Sequence, residues 1–119
     1  KIYREILDNN LSDSFNLIGK IPRSMVFYLY ANSDFILFPS LLETYGLPLE
    51  EAKLMRKKII VSDLEYSRDV LYNYDDVIFN NPYDTKQWIS SIQNEIINYK
   101  STRLASVFNN KTDTDNNQF

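Results

Sequence analysis

The 119-residue chain has no cysteine, no histidine and only two glycines. Without cysteine there are no disulfides, thiolate nucleophiles or thiolate metal sites, which agrees with a reducing compartment. Without histidine the usual general base near neutral pH is missing, and a zinc site would need carboxylates alone. No apolar run approaches the roughly 18 residues of a membrane span, and no signal peptide is visible. The net charge of −3 and the absence of a basic stripe interleaved with aromatics argue against nucleic acid as a partner. What remains is a soluble-type composition, 44% apolar and 24% charged, long enough for one modest core. The chain opens on Lys1 and is expected to be part of a longer protein.

The most informative segment is Glu43-Thr-Tyr-Gly-Leu-Pro-Leu-Glu-Glu51, two carboxylates with seven residues between them around one of the glycines. Before it stands the apolar run Phe35–Phe38, closed by Pro39-Ser40. After it come a helix-forming stretch from Ala52 and a second apolar run, Ile59–Val61. Pro48 suits a first helical position, and Gly46 supplies the backbone freedom just before it. This order reads as strand, loop, helix, strand, with one acid at the loop entrance and another in the first helical turn. In a parallel α/β sheet such a junction at a strand's carboxyl end is where ligands bind.

Along the rest of the chain, Lys1 to Asn9 reads as the end of a helix, and Phe15–Ile18 as a short strand ended by Gly19. A helix follows from Pro22 to about Ser33. The cations Arg56-Lys57-Lys58 end the helix after Gly46, where they favour its dipole. A further helix is expected from Glu65 to Tyr72, and a strand at Val77–Phe79. Asp84-Thr-Lys-Gln87 reads as a capping box for a last helix that buries Trp88, Ile92, Ile96 and Tyr99. Ser101–Phe108 reads as an additional helix. The expected division is a domain over 1–108 and a polar, mobile tail over 109–119. Four strand–helix units predict an α/β fold, a parallel sheet with helices on both faces.

From Leu17 to about Leu104 the chain resembles the C-terminal, nucleotide-sugar-binding domain of retaining, GT-B-type glycosyltransferases. The resemblance is to group 1, the family 4-like enzymes that include sucrose-phosphate synthases and many bacterial polysaccharide and lipid glycosyltransferases. It is carried by Leu17-Ile-Gly19, Leu29-Tyr30 with Ser33-Asp34, Pro39-Ser40, Glu43 to Ala52, Ile60-Val-Ser-Asp63 and Arg68-Asp69-Val70, in that order. It implies a partial Rossmann-like domain, the last four strands of the doubly wound order 3-2-1-4-5-6. Phe35–Phe38 would then be left without one neighbour, an association hazard to be closed by Phe15–Ile18 or by a second copy.

The resemblance also implies roles for particular residues. Glu43, Thr44, Tyr45 and Gly46 would bind the donor sugar, Gly46 and Leu47 the diphosphate, and Glu51 the ribose. Gly19, Lys20 and Ile21 would form a loop on the base side. An ionised carboxylate accepts a vicinal diol through two oxygens, and helix N-terminal N–H groups suit phosphate. Taken alone, Glu51 reads more readily as a first-turn acid favouring a helix dipole, and Glu43 as a solvated loop residue; the order of motifs around them reverses both readings. Gly19 reads either as a strand terminator or as room for the nucleotide base, and Lys20 and Arg23 either as solvated surface, the more ordinary role, or as facing phosphate.

The implied function is donor binding in an enzyme that moves a sugar from a nucleotide-sugar to a glycan or lipid-linked acceptor, in the cytoplasm or peripherally at its membrane. No metal or cofactor is implied, since the nucleotide-sugar is a substrate. The cations that neutralise diphosphate in such enzymes have no counterpart here, so the isolated chain is expected to be inactive. The alternatives are a catalytically dead binding or assembly module of the same lineage, and an unrelated flavodoxin-like domain.

Overall fold

The computed structural model describes residues 1–116, with side chains described to residue 111. It divides into two units, Lys1–Asn32 and Ser33–Phe119. The first holds α1 (Ile2–Asp8), a 3-10 turn at Ser12–Ser14 and α2 (Arg23–Asn32). Pro22 starts α2 as expected: its carbonyl accepts from Met25 and Val26 N–H, and Arg23 sits over the Phe27 ring at 5.3 Å. The strand expected at Phe15–Ile18 does not form. Phe15 is extended, but no strand of the first unit lies beside it, and Phe15, Leu17 and Ile18 are exposed. β-propensity without a partner leaves extended chain, not sheet.

The second unit carries β1 (Phe35–Phe38), α3 (Leu47–Leu54), β2 (Lys58–Ser62), α4 (Glu65–Val70), β3 (Val77–Asn80) and α5 (Thr85–Asn116). The strands form one three-stranded parallel sheet in the order β1-β2-β3, with helices around it. Phe35 pairs with Lys58 and Phe38 with Val61, while Ile59 pairs with Val77 and Ser62 with Asn80. The fold is therefore the expected α/β class, with three strands where four were expected.

β2 is the central strand, and Ile59, Ile60 and Val61 are completely buried, as a run covered on both faces should be. Leu49 and Ala52 of α3 and Leu71 after α4 complete the core. Each of the buried leucine, isoleucine and valine side chains contributes about 1.5–3 kcal/mol of burial. β1 departs from the reading of a fully covered strand: it is an edge, and Leu37 is 46% exposed.

The basic cluster after α3 is split by the fold. α3 stops at Leu54, Arg56 takes a positive φ of 54°, Lys57 Nζ donates to Ser33 O at 2.9 Å, and Lys58 opens β2. Lys58 pairs with Asp76 at 2.7 Å and with Glu95 at 3.6 Å, tying the start of β2 to α5.

At the start of α5, Asp84 Oδ1 accepts from Gln87 N–H at 3.1 Å. Gln87 Oε1 accepts from Asn81 N–H at 2.6 Å, so only half of the expected capping box forms. α5 is continuous from Thr85 to Asn116, without a break at Ser101. Its inner face is Trp88, Ser91, Ile92 and Glu95, whereas Ile96 and Tyr99 are about two-fifths exposed. Of the expected polar tail, 109–116 continue this helix, and 117–119 lie outside the described residues.

Candidate functional site

The carboxyl ends of the three strands bring together the β1–α3 loop, the N-terminus of α3 and the start of α4. β1 ends at Phe38, and a loop from Pro39 to Gly46 carries the first acid of the motif. Glu43 is half-buried, and its Oε1 lies 3.2 Å from Ser40 Oγ. The same hydroxyl lies 3.1 Å from Leu42 O, so its single proton serves one acceptor at a time. Thr44 and Tyr45 are exposed in the bend that follows.

Gly46 is the N-cap of α3 in the left-handed region, with φ 62° and ψ 31°. It is buried, and the space on its β-carbon side is occupied by Val70 of α4. Packing between α3 and α4 is thus one reason for glycine here, besides backbone freedom. The Gly46 carbonyl accepts from Leu49 and Glu50 N–H, while Pro48 has no N–H. Among the described residues the Leu47 N–H has no hydrogen-bond partner and remains a donor at the helix N-terminus.

Glu51 does not lie in the first turn of the helix. α3 starts at Leu47, so Glu50 is the first-turn acid and Glu51, the next residue, stands half-buried just past that turn. A proline at the second helical position, not the first, accounts for the displacement. Gly19, Lys20 and Ile21 belong to the other unit. Gly19 has φ 61° with nothing within 4 Å of where a β-carbon would stand, so backbone conformation alone explains it. Lys20 is exposed and Ile21 half-buried.

A cleft of about 370 Å³ opens beside Glu43, with Leu41, Leu42 and Leu64 as apolar lining and Glu65, Tyr66 and Asp69 from α4. Three carboxylates and no cation line it. The Tyr66 hydroxyl donates to Ser40 O at 2.6 Å, and its ring meets Phe38 edge-on at 6.4 Å. Burial, and secondly the negative charge of Glu43, raise the Tyr66 pKa and keep the phenol neutral. Arg68 is turned to other work: its guanidinium grips Asp63 at 2.7 and 2.9 Å and lies 3.8 Å over the Phe79 ring. That pairing holds the Asp63 carboxyl below the usual carboxylate range.

Beneath the site, the buried Ser67 hydroxyl donates to Ser62 O at 2.6 Å and accepts from Leu64 N–H at 3.1 Å. This joins the end of β2 to the start of α4. Sequence reasoning passed over Tyr66 and Ser67 as helix residues and quoted Ser40 only as part of a motif. The available signal was a tyrosine two residues past Leu64, since a buried phenol needs an acceptor.

The loop, the helix N-terminus and the order of motifs around them define a class, and comparison with known proteins confirms it. The family model for glycosyl transferases group 1 matches residues 1–111, and the chain belongs to that family. Over 89 residues it is 30% identical to the O-antigen chain mannosyltransferase RfbU of Salmonella typhimurium. The match covers 75% of this chain and 25% of that protein, so the chain spans about a quarter of the relative's length. No solved structure matches the chain. Among the described residues, no helix is long and apolar enough to cross a membrane.

Proposed function

We propose that this chain carries the donor-binding part of a retaining, GT-B-type hexosyltransferase. The enzyme would move a sugar from a nucleotide-sugar to a glycan or lipid-linked acceptor in surface polysaccharide synthesis, at the cytoplasmic side. Family membership and the likeness to an O-antigen chain mannosyltransferase support the reaction class. The observation that carries the donor role is the pairing of a half-buried Glu43 with the unpartnered Leu47 N–H, both at the carboxyl end of β1. In this reading Glu43 accepts sugar hydroxyls, with Thr44 and Tyr45 beside it. Gly46 and Leu47 meet the diphosphate through backbone N–H, and Glu51 accepts from the ribose. Gly19, Lys20 and Ile21 stay assigned to the base.

Retaining transfer depends on stabilising the departing diphosphate and on holding the acceptor beside it. The charged residues of the cleft next to Glu43 are all acids, and Arg68 is engaged by Asp63. The isolated chain is therefore expected to bind a donor weakly and to transfer nothing. The same observation favours a second reading, a non-catalytic binding or assembly module of the family.

Ligand-detected NMR with a panel of nucleotide-sugars, including a mannosyl donor, tests the donor role. Weak binding that Glu51→Ala and Glu43→Ala each abolish is expected. Binding that neither substitution changes would overturn it, and sugar transfer by this chain alone would overturn the expected inactivity.

A further inference from the structure

We infer that Tyr66 is a positioning residue for Glu43, acting through Ser40 to set the direction of the carboxylate that meets the donor sugar. The inference rests on the donor-site reading above.

Ser40 is held from two sides. Its carbonyl accepts the Tyr66 hydroxyl at 2.6 Å, and its own hydroxyl faces Glu43 Oε1 at 3.2 Å. Tyr66 is itself tethered at both ends. Its ring lies edge-on to Phe38, the last residue of β1, and its hydroxyl reaches the residue two further along the same chain. The loop between Phe38 and Gly46 contains no secondary structure, so without this strut the Glu43 carboxylate would sample many directions.

The bond pattern also leaves the carboxylate usable. Ser40 occupies only Oε1, and Oε2 has no partner among the described residues, which leaves it able to accept a sugar hydroxyl. Glu43 and Tyr66 line the same cleft, so a ligand seated there lies against both. The phenol stays a donor at neutral pH, because burial and the neighbouring carboxylate charge both oppose its ionisation. A ligand that orders its hydroxyls on a fixed acceptor gains from the strut, and one without the sugar does not.

The test compares a nucleotide-sugar with the matching nucleoside diphosphate, titrated into the wild-type chain, Tyr66→Phe, Glu43→Gln and the double variant. Tyr66→Phe keeps the ring and removes only the strut's hydrogen bond. It is expected to weaken the nucleotide-sugar roughly fivefold, the loss of one ordinary hydrogen bond, and to leave the nucleoside diphosphate unchanged. In the Glu43→Gln background the same change should add little, because the group being positioned is gone. Unchanged affinity in Tyr66→Phe, or equal weakening of both ligands, would overturn the inference while leaving the donor site standing. A wild-type chain that binds no nucleotide-sugar overturns the donor reading, and this inference with it.

Discussion

A β-carbon on Gly46 would stand 2.8 Å from Cγ2 of Val70, closer than non-bonded carbon atoms come to one another. Val70 closes α4, and its carbonyl accepts Lys53 Nζ from α3 at 3.2 Å. One residue of α4 thus meets both ends of α3, and the glycine of the acid-rich loop is where the two helices come into contact.

Gly46→Ala should therefore destabilise the chain by two separable effects. The left-handed φ of 62° costs a residue with a β-carbon about 1 kcal/mol, and forcing a methyl against a stiff valine about 1–3 kcal/mol. Val70→Ala removes the second effect and leaves the first. A double-mutant cycle by urea denaturation should show the pair less destabilised than the sum of the single variants. Strict additivity would mean that the close approach does not decide the cost.

Ser67→Ala should cost about 1–3 kcal/mol, although the change is small. The serine is fully buried, and its hydroxyl satisfies both Ser62 O and Leu64 N–H at the junction of β2 and α4. Losing it strands a donor and an acceptor away from water. The check is the urea midpoint, with amide exchange at Leu64 as a local reporter. Exchange there should rise more than in β2.

Stability should fall at alkaline pH. The Lys58 pKa is raised by its bond to Asp76, against partial desolvation, and further by Glu95. Those of Tyr66 and Tyr74 are raised first by burial, then by Glu43 and Asp76 respectively. In each case the folded chain holds the proton more tightly than the unfolded chain. The stabilisation is complete below about pH 10, where unfolded lysine and tyrosine begin to titrate, and is lost as pH rises through the folded values. Urea midpoints read by Trp88 fluorescence should be level from pH 7 to 9 and drop above about pH 10. Lys58→Met should flatten part of that drop and lower the neutral-pH stability by roughly 1 kcal/mol.

Elements carried by local chemistry were legible in the chain as written. Ile59–Val61 is an unbroken apolar run and proves to be the fully buried central strand. Gly46 and Pro48 mark the start of α3 because one permits positive φ and the other needs no N–H donor. Asp84 caps α5 through its own turn. Each of these depends on residues within a few positions of one another.

Other features depend on what lies far along the chain, and there the reading differed from the fold. Phe15–Ile18 has the composition of a strand but is not in a sheet, since a ladder needs a neighbour that no local pattern supplies. Leu37 is as apolar as Ile60, yet one is 46% exposed and the other buried, because β1 is an edge and β2 is not.

The acid-rich loop shows the division most clearly. By itself the sequence determined the α/β class, the family motifs and the placing of Glu43 at a strand's carboxyl end, because those follow from residue type, order and spacing. Only the tertiary structure decided that Val70 fills the room Gly46 leaves, that Glu51 lies one residue past the first turn of α3, and that Tyr66 braces Ser40 across 26 residues of sequence. Those contacts exist because β1, β2 and α4 converge in space.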